Sequence, residues 1–134
     1  RERVALAESW VKMSQEAFQR LKSAESPKGD ILATARLAGI MAAKKTADLI
    51  PLCHPLALTH LEVDFELEPN DHRLRVTCSA SVFAATGVEM EAMVGVSIAA
   101  LTIYDMLKSL DRGMSLGPTR LLKKTGGRSG EFAQ

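Results

Sequence analysis

The chain has 134 residues, of which 46% are hydrophobic and 25% charged, with a formal net charge of +1. That length supports one domain with a real core, and the ordinary charge balance and 4% aromatic content exclude the basic, stacking surface typical of nucleic-acid binders. Two cysteines in unrelated contexts, Cys53 and Cys78, make no disulfide framework and point to a reducing cytoplasm.

No internal repeat, low-complexity stretch or linker divides residues 1–134, so a single domain is expected. Val4 to Met13 is mixed and β-branched and predicts a first strand. Ser14 is positioned to cap a short helix, Gln15 to Ser23, with Ala17, Phe18 and Leu21 on one side. Ser26-Pro27-Lys28-Gly29 reads as a loop. Asp30 then caps a second, alanine-rich helix from Ile31 to about Leu49. Gly39 in its middle permits close approach of another backbone, and Lys44 and Lys45 fall late, where the helix dipole favours cations. Pro51 and Pro55 bound a tight loop carrying Cys53 and His54.

Leu61 to Glu68 alternates strictly between apolar and acidic residues, the pattern of a half-buried strand. Pro69 to His72 is a turn, and Arg73 to Val82 alternates again with Cys78 on its apolar side. Arg73 and Arg75 fall on the opposite side, facing the acidic stripe across a hairpin. Glu89 to Leu110 is the third and longest helix, apolar over most of its circumference and so expected to be buried on more than one side. Its longest uncharged run, Ala92 to Tyr104, is 13 residues, short for a bilayer span. Gly113 to Pro118 is a turn region, Thr119 to Lys123 a last strand, and Gly126 to Gln134 a flexible tail. The segregation of strands and helices predicts an α+β sandwich, an antiparallel sheet with helices on one face.

Several polar residues interrupt this core-like sequence, and ionised groups are rarely buried unless paired or functional. Lys28 precedes the cap of the second helix, where a lysine strengthens anion binding; a solvated loop lysine is the plainer alternative. Cys53-His54 lies in a rigid corner that aims His54 at an anion or a proton-transfer partner, or else holds an ordinary loop histidine. With three histidines and no second Cys/His pair at ligand spacing, a zinc site is poorly supported. Adjacent side chains point apart, which argues against a Cys–His nucleophilic dyad. On the third helix, Glu89 and Glu91 open the first turn, while Asp105 and Lys108 close it one turn apart. That closing pair is either a surface ion pair or, if shielded by the apolar run before it, an acid–base pair.

Longer stretches are more specific. Lys28-Gly-Asp30, Ala33-Thr-Ala-Arg-Leu-Ala-Gly-Ile40, Ala42-Ala-Lys-Lys45 and Leu49-Ile-Pro-Leu-Cys-His-Pro-Leu56 occur in order. Thr86-Gly-Val-Glu-Met-Glu-Ala92, Ala99-Ala-Leu-Thr-Ile-Tyr-Asp-Met106 and Lys124-Thr-Gly-Gly127 follow. Together they resemble the molybdenum cofactor biosynthesis protein C family, the cyclic pyranopterin monophosphate synthases, over essentially the whole chain. The resemblance implies a ferredoxin-like protomer in a homohexamer, a trimer of dimers with active sites at the dimer interface. It implies a lyase that converts 3′,8-cyclo-7,8-dihydro-GTP into cyclic pyranopterin monophosphate with loss of pyrophosphate. It further implies catalytic roles for Lys28, Asp105 and Lys108, and substrate contacts at Leu52, Cys53, His54, Met90 and Glu91. Arg3, Lys44, Glu89 and Lys124 match further polar positions of the site. No metal site or resident cofactor is implied; Mg2+ accompanying the triphosphate is left open. A non-catalytic nucleotide-binding module on the same scaffold is the competing reading, since fold does not fix function. An RNA-binding α+β domain is the third, disfavoured by the near-neutral charge and by hairpin strands on which Phe65 and Phe83 are the only aromatic candidates.

Overall fold

The first strand expected over Val4 to Met13 is β1 (Glu2–Lys12), the centre of the sheet. The computed structural model describes residues 1–23, 30–126 and 130–134, with the backbone of 25, 26 and 29. Ala5, Ala7 and Val11 of β1 point to one face and are buried there, as even spacing along a pleated strand requires. Ser14 accepts a hydrogen bond from the Ala17 amide at 3.1 Å and starts α1 (Gln15–Lys22), which buries Ala17, Phe18 and Leu21. A short pair of strands follows, β2 (Glu25–Ser26) and β3 (Gly29–Asp30). Pro27 and Lys28, the tip of the expected loop, lie outside the described residues.

Asp30 accepts from the Ala33 amide at 3.0 Å and caps α2 (Ile31–Lys44). The second helix is therefore shorter than expected. It closes at Lys45, and a separate turn, α3 (Thr46–Leu49), follows. The buried Thr46 hydroxyl donates to the Ala43 carbonyl at 2.9 Å, which satisfies a helix-end acceptor and lets the chain turn. The hairpin is β4 (Leu58–Glu68) and β5 (Arg73–Phe83), joined by a 3-10 turn over Pro69–Asp71. Register places Glu66 opposite Arg75 and Glu68 opposite Arg73, and Arg73 forms an ion pair with Glu68. Leu74, Val76, Cys78, Ala80 and Val82 are all buried on the inner face.

The longest helix, α4 (Glu89–Leu107), ends one turn earlier than the pattern predicts. At 19 residues it is long and apolar enough to cross a bilayer, so its length does not exclude a span as the shorter uncharged run suggested. Its burial does: 56% of it is packed inside the domain, and it is a core helix. After it come β6 (Ser115–Leu116), β7 (Arg120–Thr125) and β8 (Phe132–Ala133). The expected flexible tail is corrected in part, because Phe132 and Ala133 pair with Lys124 and Lys123 at the sheet edge.

The sheet runs β4-β5-β1-β7-β8, with β6 beside β1, and every pairing is antiparallel. The path β1-α2-β4-β5-α4-β7 is the split β-α-β-β-α-β connection of ferredoxin-like folds. Both long helices cover one face of the sheet. They approach closely because small residues meet there. A Cβ on Gly39 would lie 2.9 Å from the Gly95 carbonyl oxygen, and one on Gly95 would lie 2.6 Å from Cys78 Sγ. This seam fixes where both ends of α4 fall, and with them the two groups of polar residues described next.

Candidate active site

The loop between Pro51 and Pro55 turns back on itself, with the Cys53 amide donating to the Ile50 carbonyl at 3.1 Å. It faces the first turn of α4 across a cavity of about 270 Å³. Leu52, Cys53, His54, Glu89, Met90 and Glu91 line that cavity. The sequence-predicted substrate contacts, with 35 residues between His54 and Met90, are thus brought to one place by the hairpin that intervenes.

The start of α4 is held by side chains from the central strands. Arg3, on β1, donates to the carbonyls of Ala84 at 3.2 Å and Ala85 at 2.9 Å, which braces the turn into Thr86 and Gly87. Lys124, on β7, reaches Glu89 at 3.3 Å. A second cavity of about 190 Å³ adjoins the first, and Lys44, Lys45, Thr46 and Asp48 line it. Glu91 borders both. Burial and, secondarily, the neighbouring Glu89 charge raise the Glu91 pKa from its ordinary value of 4.5, against a hydrogen bond from its own backbone. Thr46 and Asp48 were not singled out from sequence; only their spacing after Lys44 and Lys45 marked them.

Asp105 and Lys108 lie elsewhere. They form an ion pair of 2.9 Å at the far end of α4, with side chains 52% and 50% exposed. The shielded environment expected for this pair is therefore absent within one chain: the apolar run before it faces the core, while the pair itself faces outward beside Leu101 and Tyr104. Fourteen residues of helix separate Asp105 from Glu91, roughly 21 Å along the axis. Lys28 lies outside the described residues. Among the described residues no three His, Cys, Asp or Glu side chains converge as metal ligands.

One polar cluster went unpredicted. Glu8 on β1 is only 2% exposed and is clamped by Arg75 at 2.7 Å and Arg120 at 2.7 Å. These sit on the sheet face away from the helices and away from the cavities. A glutamate at an outward strand position, with arginines on two later strands, was the available signal.

Comparison with known proteins places this geometry in a family. The chain is 55% identical to the cyclic pyranopterin monophosphate synthase of Roseiflexus sp. (strain RS-1) over 97% of its length and 82% of that protein. It is 52% identical to the synthase of the same name from Clostridium perfringens (strain 13 / Type A), over 98% of this chain and 83% of that one. A solved structure of a mutant of the ferredoxin protease FusC in complex with Arabidopsis ferredoxin aligns at TM-score 0.40 and 16% identity, over 81% of this chain and 10% of that one, too slight a likeness to bear on fold or function. With a profile of the MoaC family matching residues 1–127 as well, the chain belongs to the MoaC family.

Proposed function

We propose that the chain converts 3′,8-cyclo-7,8-dihydroguanosine 5′-triphosphate into cyclic pyranopterin monophosphate and pyrophosphate, in the reducing cytoplasm where Cys53 and Cys78 remain free thiols. As a member of this family it is an enzyme, a lyase of molybdenum cofactor biosynthesis. The observation that carries the fuller reading is the cavity at the start of α4, where a thiol, an imidazole and a buried carboxyl converge next to a second cavity lined by lysines.

The chemistry asks for three things. A triphosphate needs cations and hydrogen-bond donors, which Lys44, Lys124, Arg3 and His54 offer around the two cavities. Closing the cyclic phosphate is an intramolecular displacement at the α-phosphate. Holding the attacking hydroxyl in line, with cationic side chains stabilising the negative charge of the departing pyrophosphate, supplies much of its rate. Rearranging the purine-derived ring needs proton transfers, suited to Asp105 with Lys28 or Lys108. Leu52, Cys53, Met90 and Glu91 hold the ring system, and Glu89 keeps Lys124 in place.

The separation of roughly 21 Å between Asp105 and Glu91 means that one chain does not assemble these parts. A second copy that brings its Asp105 and Lys108 to the first copy's cavity completes the site. Three such dimers make the hexamer. Mixing tests this directly. Asp105→Asn and His54→Ala proteins, each inactive alone, are co-refolded and incubated with the cyclised triphosphate. Pterin and pyrophosphate are then measured. Shared sites restore activity to roughly a quarter of wild type, the statistical share of intact sites in mixed two-fold dimers. No recovery sinks the shared site, and substrate binding without any wild-type turnover sinks the enzymatic reading in favour of a binding module.

A further inference from the structure

Two carboxylates stand two residues apart in the first turn of α4, and the fold treats them differently. Glu89 is one third exposed and has Lys124 at 3.3 Å. Glu91 is 5% exposed and contributes to the wall between the two cavities. The titratable groups around those cavities are Lys44, Lys45 and Asp48 from the end of α2 and from α3, Cys53 and His54 from the proline-bounded loop, and Glu89 itself. Among the described residues no ion pair reaches Glu91, and the one charge that acts on it appreciably is Glu89, of like sign. Burial, with the like charge of Glu89, favours the proton-bearing form and outweighs the hydrogen bond from its own backbone, which favours the ionised one.

We infer that Glu91 serves the site as a neutral carboxyl group, donating a hydrogen bond from the wall between the cavities to an acceptor oxygen of the anionic substrate. This rests on the reaction proposed above and adds to it the state in which one contact works. An ionised carboxylate in that wall would repel a polyanionic substrate bound in either cavity. A neutral one offers an O–H donor and no charge. The bound polyanion reinforces the arrangement, because added negative charge holds the proton on Glu91 more firmly. The pair then divides its work: Glu89 fixes Lys124, while Glu91 keeps its proton and donates. Separation of two neighbouring carboxyl groups by environment is how one fold assigns them different tasks.

The test has two readings. Carboxyl-labelled wild type without substrate is titrated by ¹³C NMR, with Glu91→Gln used to assign the resonance. Glu91 is expected to hold its proton to a higher pH than the other glutamates; titration together with them overturns the inference. Affinity for the cyclised triphosphate is then followed against pH. Wild type is expected to weaken by up to about tenfold per pH unit above the Glu91 midpoint. Glu91→Gln, an uncharged group with an N–H donor, is expected to match the acid-side affinity of wild type and to lack that phase, while Glu91→Ala binds weakly at every pH. A pH phase unchanged in Glu91→Gln, or binding as weak as in Glu91→Ala, overturns the inference. Wild-type turnover measured beside these separates the cases, since its absence strikes the reaction itself.

Discussion

At the scale of single residues, Glu8 and Cys78 show how burial is tolerated. Burial alone would raise the Glu8 pKa, but hydrogen bonds from Arg120 and Arg75, with their charges, outweigh it and hold the carboxyl below its ordinary value of 4.5. A depressed folded pKa means that the unfolded chain binds the proton more readily. The stabilisation from Glu8 is therefore fully present above pH 4.5 and is lost as pH falls through the folded value. Glu8→Gln, which keeps the shape and removes the charge, is expected to lose about 1–3 kcal/mol at neutral pH and much less in acid well below pH 4.5. Urea unfolding at the two pH values checks this, and an equal loss at both would show that the ion pairs contribute little. Cys78 takes the other route. Burial pushes its pKa up to about 12, so it stays a neutral thiol at working pH. Cys78→Ser is expected to cost about 1–3 kcal/mol by placing a hydroxyl in an apolar site, with turnover retained once folded. Cys53→Ser, in the cavity loop, is expected to weaken substrate binding while melting changes little. Thermal melts paired with binding measurements separate the two positions.

Between elements, the decisive contact is the seam of small residues where α2 and α4 cross the sheet. A methyl added at Gly95 meets Cys78 Sγ at 2.6 Å, so Gly95→Ala must displace a fully buried side chain. Overpacking of this kind typically costs about 1–3 kcal/mol, more than the ~1 kcal/mol gained in helix propensity. Because the clash is with one sulfur atom, Cys78→Ala should relieve much of it. The double mutant is expected to be more stable than the sum of the single changes predicts, as coupled neighbours are, and additive losses in chemical denaturation would place the strain elsewhere. This seam also shows what sequence can and cannot reveal. Ser14 and Asp30 were legible as caps because capping is local, and the hairpin was legible because alternation and its charges repeat along it. Gly39 was visible as a place of close approach, but its partner Gly95 was not, since nothing along the chain says which helices cross. The break at Lys45 was hidden for a similar reason: Thr46 looks helix-compatible until its hydroxyl finds the Ala43 carbonyl. The early end of α4 depends on tertiary contact too, with Asp111 turned back to accept from the Ser14 amide at 2.8 Å. In the site, motif resemblance singled out Cys53, His54, Met90 and Glu91, but their convergence on one cavity needed the fold.

For the molecule as a whole, the open question is what the exposed end of α4 meets. Asp105 and Lys108 are about half exposed, and Leu101 beside them is 51% exposed, as is Met41 on α2; Leu37 is 58% exposed. An isolated ion pair in that setting is worth about 0.2–1 kcal/mol, and Asp105→Asn or Lys108→Met in a lone protomer would change little. In the proposed dimer the same pair is covered by a second copy and faces its cavity. Both variants are then expected to fold, to sediment as wild type does and to bind the triphosphate, since Lys44, His54 and Lys124 belong to the cavity's own chain. Turnover is expected to fall by about 10²-fold or more, the usual size of a proton-transfer contribution. Single-turnover assays on the folded variants, with binding measured separately, distinguish chemistry from assembly. Near-wild-type turnover in Asp105→Asn would leave this helix end structural. A stable monomer that turns over substrate would remove the shared site altogether, because no rearrangement short of unfolding α4 brings its two ends together in one chain.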